Sequence, residues 1–161
     1  PEELNLLSNI KFRTVTANGI SLRLAMQGSG PLVVLCHGWP ESWYSWRHQI
    51  PALANAGYTA VAYDVRGYGE SDKPHAVEAY TLKELAADVV GISDALGFDR
   101  FITIGHDWGW AHCIDNSPTL PRSRLCHGFA LCSPFDTTTV TYIGFMARTL
   151  QGSLFLPTVL S

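Results

Sequence analysis

Four short apolar runs, separated by helical patterns, leave this chain few ways to fold. "LVVLC" (32–36), "YTAVAYD" (58–64), "RFITIGHD" (100–107) and "GFALCS" (128–133) are continuous rather than alternating. A strand with one wet face alternates apolar and polar residues, whereas a strand covered on both faces reads as an unbroken apolar run. Between the runs, Trp43, Trp46, Ile50 and Leu53 share a helical face, with Pro51 expected to mark a break or restart. Thr81-Leu82-Lys83-Glu84 has the form of a capping box. It opens a helix with Leu82, Leu85, Val89, Ile92 and Leu96 on its apolar side, and Gly97 is its expected stop. Strand, helix, strand, helix, strand predicts an α/β fold: a mostly parallel sheet with right-handed crossovers and flanking helices.

Ahead of the first run, Phe12 to Thr16 and Ile20 to Met26 alternate apolar and polar around Asn18-Gly19, which is a hairpin signal. With 47% hydrophobic and 16% charged residues, the 161-residue chain has enough apolar material for one globular core. The net charge of −3 and the lack of a basic block exclude nucleic acid and anionic membrane surfaces as expected partners. No membrane span is expected: the most apolar stretch, Val140 to Leu160, is interrupted by Arg148, Gln151 and Pro157. The first residues lack the layout of a signal peptide. Cys36, Cys113, Cys126 and Cys132 form no C-x-x-C pair and have no metal-ligand spacing, so neither a metal nor another cofactor is expected. Cys36 and Cys132 read as buried free thiols, and the expected location is a reducing cytoplasm.

In parallel sheets chemistry collects at the carboxyl ends of the strands. Three polar turns occupy those ends: His37-Gly38-Trp39-Pro40, Asp64-Val65-Arg66-Gly67 and Gly105-His106-Asp107-Trp108-Gly109. The third has small residues on both sides of a carboxylate, between a strand and a helix, as a nucleophile elbow requires. Asp107 at its centre is the candidate catalytic residue, and attack by its carboxylate gives an ester intermediate. The competing reading makes Asp107 an ordinary helix N-cap. In the first turn, a backbone N–H can join that of Trp108 as an oxyanion hole. Pro40 permits a cis peptide there, and His37 is expected to brace the loop. The segment "DVRGYGESDKP" (64–74) is assigned scaffold work.

"HGWPESWYSWRHQIPAL", "YDVRGYGESDKP" and "GHDWG", in this order, resemble the epoxide hydrolases of the α/β-hydrolase fold, with haloalkane dehalogenases as relatives. The resemblance runs from about residue 10 to Gly109 and weakly to 133–135. It implies that Asp107 attacks an epoxide carbon while the Trp39 and Trp108 backbone amides hold the oxyanion. Both indoles then wall a pocket for a small apolar epoxide. Gly38, Pro40, Gly105 and Gly109 shape the two turns, with His37 as a structural member.

The family's water-activating histidine, its acid and the cap tyrosines come later in the chain than the nucleophile. After Asp107 this sequence has only His112, His127 and a single tyrosine, Tyr142. His112 belongs to the elbow helix, which Asp115-Asn116-Ser117-Pro118 is expected to stop after about two turns. His127 is expected at the far end of the last strand, and Asp136 reads as a surface acid. The expectation is therefore the front portion of an incomplete α/β-hydrolase core, residues 1–136, lacking the cap domain and closing strands. Residues 137–161 would begin a cap or form an irregular apolar tail. Hydrolysis of the ester is expected to be impaired, and self-association through exposed apolar surface is expected. Haloalkane dehalogenation is the alternative activity, although many such relatives carry Asn at the position of Trp39. A non-catalytic hydrolase-like protein is the alternative outside enzymes.

Overall fold

The computed structural model describes residues 7–109 and the backbone of a strand at 125–131. Six strands form one sheet: β1 Lys11–Ala17, β2 Ile20–Gln27, β3 Leu32–Cys36, β4 Thr59–Tyr63, β5 Phe101–His106 and β6 Leu125–Leu131. Their order is β1-β2-β4-β3-β5-β6. The β1–β2 hairpin joins antiparallel, and β4, β3, β5 and β6 run parallel. The predicted parallel sheet is present, and its parallel strands place the three polar turns at one edge.

The hairpin turns at Asn18 and Gly19, with φ of 49° and 77°, the left-handed pair that a two-residue turn requires. All five residues of β3 and of β4 are buried, as the unbroken runs demanded. Alternate residues feed two cores. Val34, Val61 and Leu24 pack with Val89 and Ile92 of α2 (Leu82–Leu96). Val33, Leu35, Ala60 and Ala62 pack on the other face with Ile50 and Leu53 of α1 (Gln49–Asn55). A one-residue register slip would exchange the two faces, so the pattern fixes the pairing.

Four local expectations are corrected. The restart near Pro51 falls earlier: a 3-10 turn, Trp43–Trp46, is followed by α1, and Pro51 lies in the first turn of that helix. The first four N–H groups of a helix have no internal partner, so the missing N–H of Pro51 costs nothing there. Thr81 caps α2 by accepting from the Glu84 N–H at 3.4 Å, and Gly97 ends it at φ 79°. The Glu84 carboxylate instead accepts from the Asn18 side chain at 2.9 Å. Leu82, assigned to the apolar side, is exposed, while Asp88 and Ser93 are buried. The last strand spans Leu125–Leu131 rather than 128–133, and its pairing with β5 steps from Cys126 to Gly128 across His127. His127 thus falls at the irregularity near the start of β5, away from Asp107. The expected helix stop at 115–118, His112, Asp136 and the 137–161 segment lie outside the described residues.

Candidate active site

β5 delivers His106 as its last residue, and the chain turns at Asp107 with φ of 52°. Helical backbone resumes at Trp108. A positive φ on a non-glycine residue is unfavourable unless its surroundings impose it. An N-cap residue uses the extended region instead, so this backbone departs from the simple capping reading. Steric closeness accounts for the neighbouring glycines. A Cβ on Gly109 would lie 2.7 Å from the His37 carbonyl oxygen and collide with that of Cys36. A Cβ on Gly38 would run into the Asp107 side chain, with Oδ1 at 2.6 Å. Gly105 is buried and pairs with Cys36 across the β3–β5 ladder.

The Trp39 N–H donates to Asp107 Oδ1 at 2.9 Å, bridging the turns after β3 and β5. That bond, then the bond from the Trp108 N–H, holds the Asp107 carboxyl below the usual carboxylate range, with burial opposing weakly. The carboxylate is exposed, and the Trp39 and Trp108 side chains beside it are each 66% exposed. The structure therefore gathers Gly38, Trp39, Asp107, Trp108 and Gly109 in one place. The Trp39–Pro40 peptide is cis.

His37 sits beneath this surface, buried, with Nε2 accepting from the Val65 N–H at 3.0 Å and Nδ1 meeting the Gly38 carbonyl at 2.8 Å. A backbone N–H can only donate, so the proton of the neutral ring is assigned to Nδ1. Both nitrogens are committed, which leaves no free one to act as a base and agrees with a brace.

Glu41 was not anticipated. Its Oε2 lies 2.8 Å from His106 Nε2 and accepts a long bond, 3.4 Å, from the Gly38 N–H. It therefore ties the HGWP turn to the residue preceding Asp107. A glutamate one position after a loop proline carries no sequence signal of this, because a solvated loop reads the same way.

In the 64–74 segment, buried Asp64 accepts from the N–H groups of Trp43 and Glu70, each at 3.1 Å. Ser71 donates its hydroxyl to the Asp64 carbonyl at 2.6 Å. Arg66 reaches Asp88 of α2 through Nε at 2.6 Å and a second parallel bond, and also binds the Ala79 carbonyl. These side chains hold backbone in place, as scaffold does. Cys36 is buried and forms no disulfide. Among the described residues, no cluster of His, Cys, Asp or Glu could hold a metal, and no helix is long and apolar enough to cross a membrane.

Parallel strands, a carboxylate on a glycine-flanked elbow and a facing backbone amide define a hydrolase architecture. The family model described as alpha/beta hydrolase fold matches residues 31–113, just over half of the chain. The chain belongs to the α/β hydrolase fold family. Epoxide hydrolase A of Mycobacterium tuberculosis is 49% identical over 124 residues, which are 76% of this chain and 38% of that protein. Epoxide hydrolase B of the same organism is 64% identical over 80 residues, 50% of this chain and 22% of its own length. An epoxide hydrolase structure from an endophytic Streptomyces superposes with a TM-score of 0.72 at 46% identity, covering 76% of this chain and 37% of that one. One from Vigna radiata gives 0.70 at 40% identity, covering 81% and 40%. The chain thus spans roughly two fifths of the length of these relatives or less.

Proposed function

We propose that this chain carries the nucleophilic part of an epoxide hydrolase, with Asp107 as nucleophile. The observation that carries the reading is the Trp39 N–H on Asp107 Oδ1, on an elbow that keeps the carboxylate exposed and ionised. With Oδ1 held, Oδ2 is the oxygen to attack the less hindered epoxide carbon from the back. The carbon–oxygen bond of the ring breaks, and the alkoxide released takes up a proton. The product is an ester on Asp107 whose carbonyl oxygen stays against the Trp39 and Trp108 amides. When water adds to that ester, the same donors face the developing oxyanion, which is where such donors lower a barrier. Departure of the diol restores the carboxylate.

The similarity to epoxide hydrolases on both sequence and structure supports the substrate class. The exposed indoles of Trp39 and Trp108 offer apolar walls for a small, nonionic epoxide. Neither His37, with both nitrogens engaged, nor His106, paired with Glu41, is assigned to activate the water.

The chain is incubated with an aryl epoxide in heavy-oxygen water and then digested and mapped by mass spectrometry. The peptide containing Asp107 is expected to carry the epoxide as an ester or, where the ester has turned over, heavy oxygen in the carboxylate. An Asp107 peptide with neither would overturn the proposal.

A further inference from the structure

His37 holds a particular oxygen. The carbonyl it meets belongs to Gly38, and the N–H that meets Asp107 belongs to Trp39. These are the two ends of one peptide group. A peptide group is planar, so fixing its oxygen fixes the line along which its N–H points. The Gly38 oxygen also accepts from the Glu41 N–H at 3.1 Å, which occupies its second lone pair. Bonding at the carbonyl polarises the amide and strengthens its N–H as a donor.

The ring is aimed in turn by the loop after β4. The Val65 N–H donates to Nε2 at 3.0 Å, and that loop is anchored next door by the Arg66–Asp88 pair to α2. The groups facing the ring are Asp64 from the end of β4, Glu41 from its own loop, His106 from the end of β5, and the Tyr68 ring, edge-on at 5.2 Å. We infer that His37 is a positioning residue for the Trp39 amide, that it serves only as the neutral Nδ1–H tautomer, and that protonating Nε2 against the Val65 N–H swings this amide off Asp107. The inference rests on the proposed role of Asp107.

Burial lowers the pKa of His37 from its ordinary 6.5, with the Gly38 carbonyl, Asp64 and Glu41 opposing. The ring is therefore neutral at neutral pH, and the amide is released only on acidification.

Two readouts test this on the full chain. The first needs no reaction: nitrogen NMR of the His37 ring, followed with the Trp39 backbone amide while the pH is lowered. The neutral ring is expected to show Nδ1 protonated, and the Trp39 amide to shift in step with His37. A ring protonated on Nε2, or a Trp39 amide that ignores the His37 titration, overturns the inference.

The second readout is the rate of adduct formation with an aryl epoxide across the same pH range. It should fall with His37 protonation in the unsubstituted chain. His37→Leu is expected to lose roughly a hundredfold, comparable to removing an oxyanion donor. His37→Asn retains a donor to Gly38 but does not titrate, so it should recover most of that loss and lack the acid limb. An acid limb that persists unchanged in His37→Asn contradicts the inference. If His37→Leu fails to fold, the Asn variant and the NMR titration still decide. Coupled NMR shifts with no adduct at any pH would sink the role of Asp107 and spare the coupling. An adduct without coupled shifts would do the reverse.

Discussion

Two carboxylates follow the parallel strands on either side of β3, and their fates differ. Asp64 after β4 is 1% exposed and accepts from the backbone N–H groups of Trp43 and Glu70. Asp107 after β5 is exposed and accepts from those of Trp39 and Trp108. Each takes two amides across a glycine-containing turn. The difference is what remains: Asp64 is enclosed, with Gly69 pressed against its carboxylate, whereas Asp107 is lifted by its positive φ and keeps an oxygen towards solvent. The same hydrogen-bonding chemistry thus serves a loop in one case and, in the other, leaves an exposed carboxylate, the proposed nucleophile. Backbone conformation and exposure, not residue type, separate the two.

The largest effect should come from exchanging their losses. Asp64→Ala takes the acceptor from two part-buried amides in two loops and is expected to cost about 3 kcal/mol in denaturant unfolding. Asp107→Asn should stay within about 0.5 kcal/mol of the unsubstituted chain, as surface changes do. Equal costs would erase the distinction between scaffold and reagent. Gly38→Ala sharpens it next, because the new Cβ strikes the Asp107 side chain rather than core. Adduct formation should drop about a hundredfold, since small misplacements of reacting groups have effects of that order. Thermal stability should fall only modestly, and a rate close to the original would show that the turn has room to adjust.

Acid should separate the residues around the site in two stages. His37 is held neutral in the folded chain, so the unfolded chain binds its proton first. Stability then falls as pH drops from about 6.5 towards the lowered folded value, and His37→Asn should flatten that part of the curve. Asp107 has a depressed folded pKa, so its contribution is complete above the ordinary carboxylate value and lost as pH falls through the folded one. Unfolding midpoints measured against pH check both stages. The smallest effect lies outside both turns. Gly97→Ala meets open space at φ 79° and should cost about 1 kcal/mol, purely for the left-handed backbone.

Much of this was legible in the sequence. The continuous runs at 32–36 and 58–64 announced strands buried on both faces, and Asn18-Gly19 announced the hairpin, because burial and turn chemistry are local demands. The elbow was legible because its sterics require glycine at fixed offsets from Asp107. Glu41, Asp88 and the peptide shared by His37 and Asp107 were not. Asp88 lies on α2 between residues that read as a helix face, and its burial is tolerable because Arg66 arrives from a distant loop and Asn18 from the hairpin turn. Glu41 gains its role from His106, which is 65 positions away along the chain. Such pairings arise from topology, and no local pattern records them. Leu82 failed in the opposite direction: its spacing is correct, but it lies at the helix end and is exposed.

The central claim is that Asp107 is the group that reacts. The most direct measurement is the intact mass of the chain after incubation with a reactive aryl epoxide, beside Asp107→Asn treated identically. The account predicts a single adduct, transient or lasting, on the unsubstituted chain and none on the variant. Equal labelling of both, or no labelling and no diol from either, would contradict it.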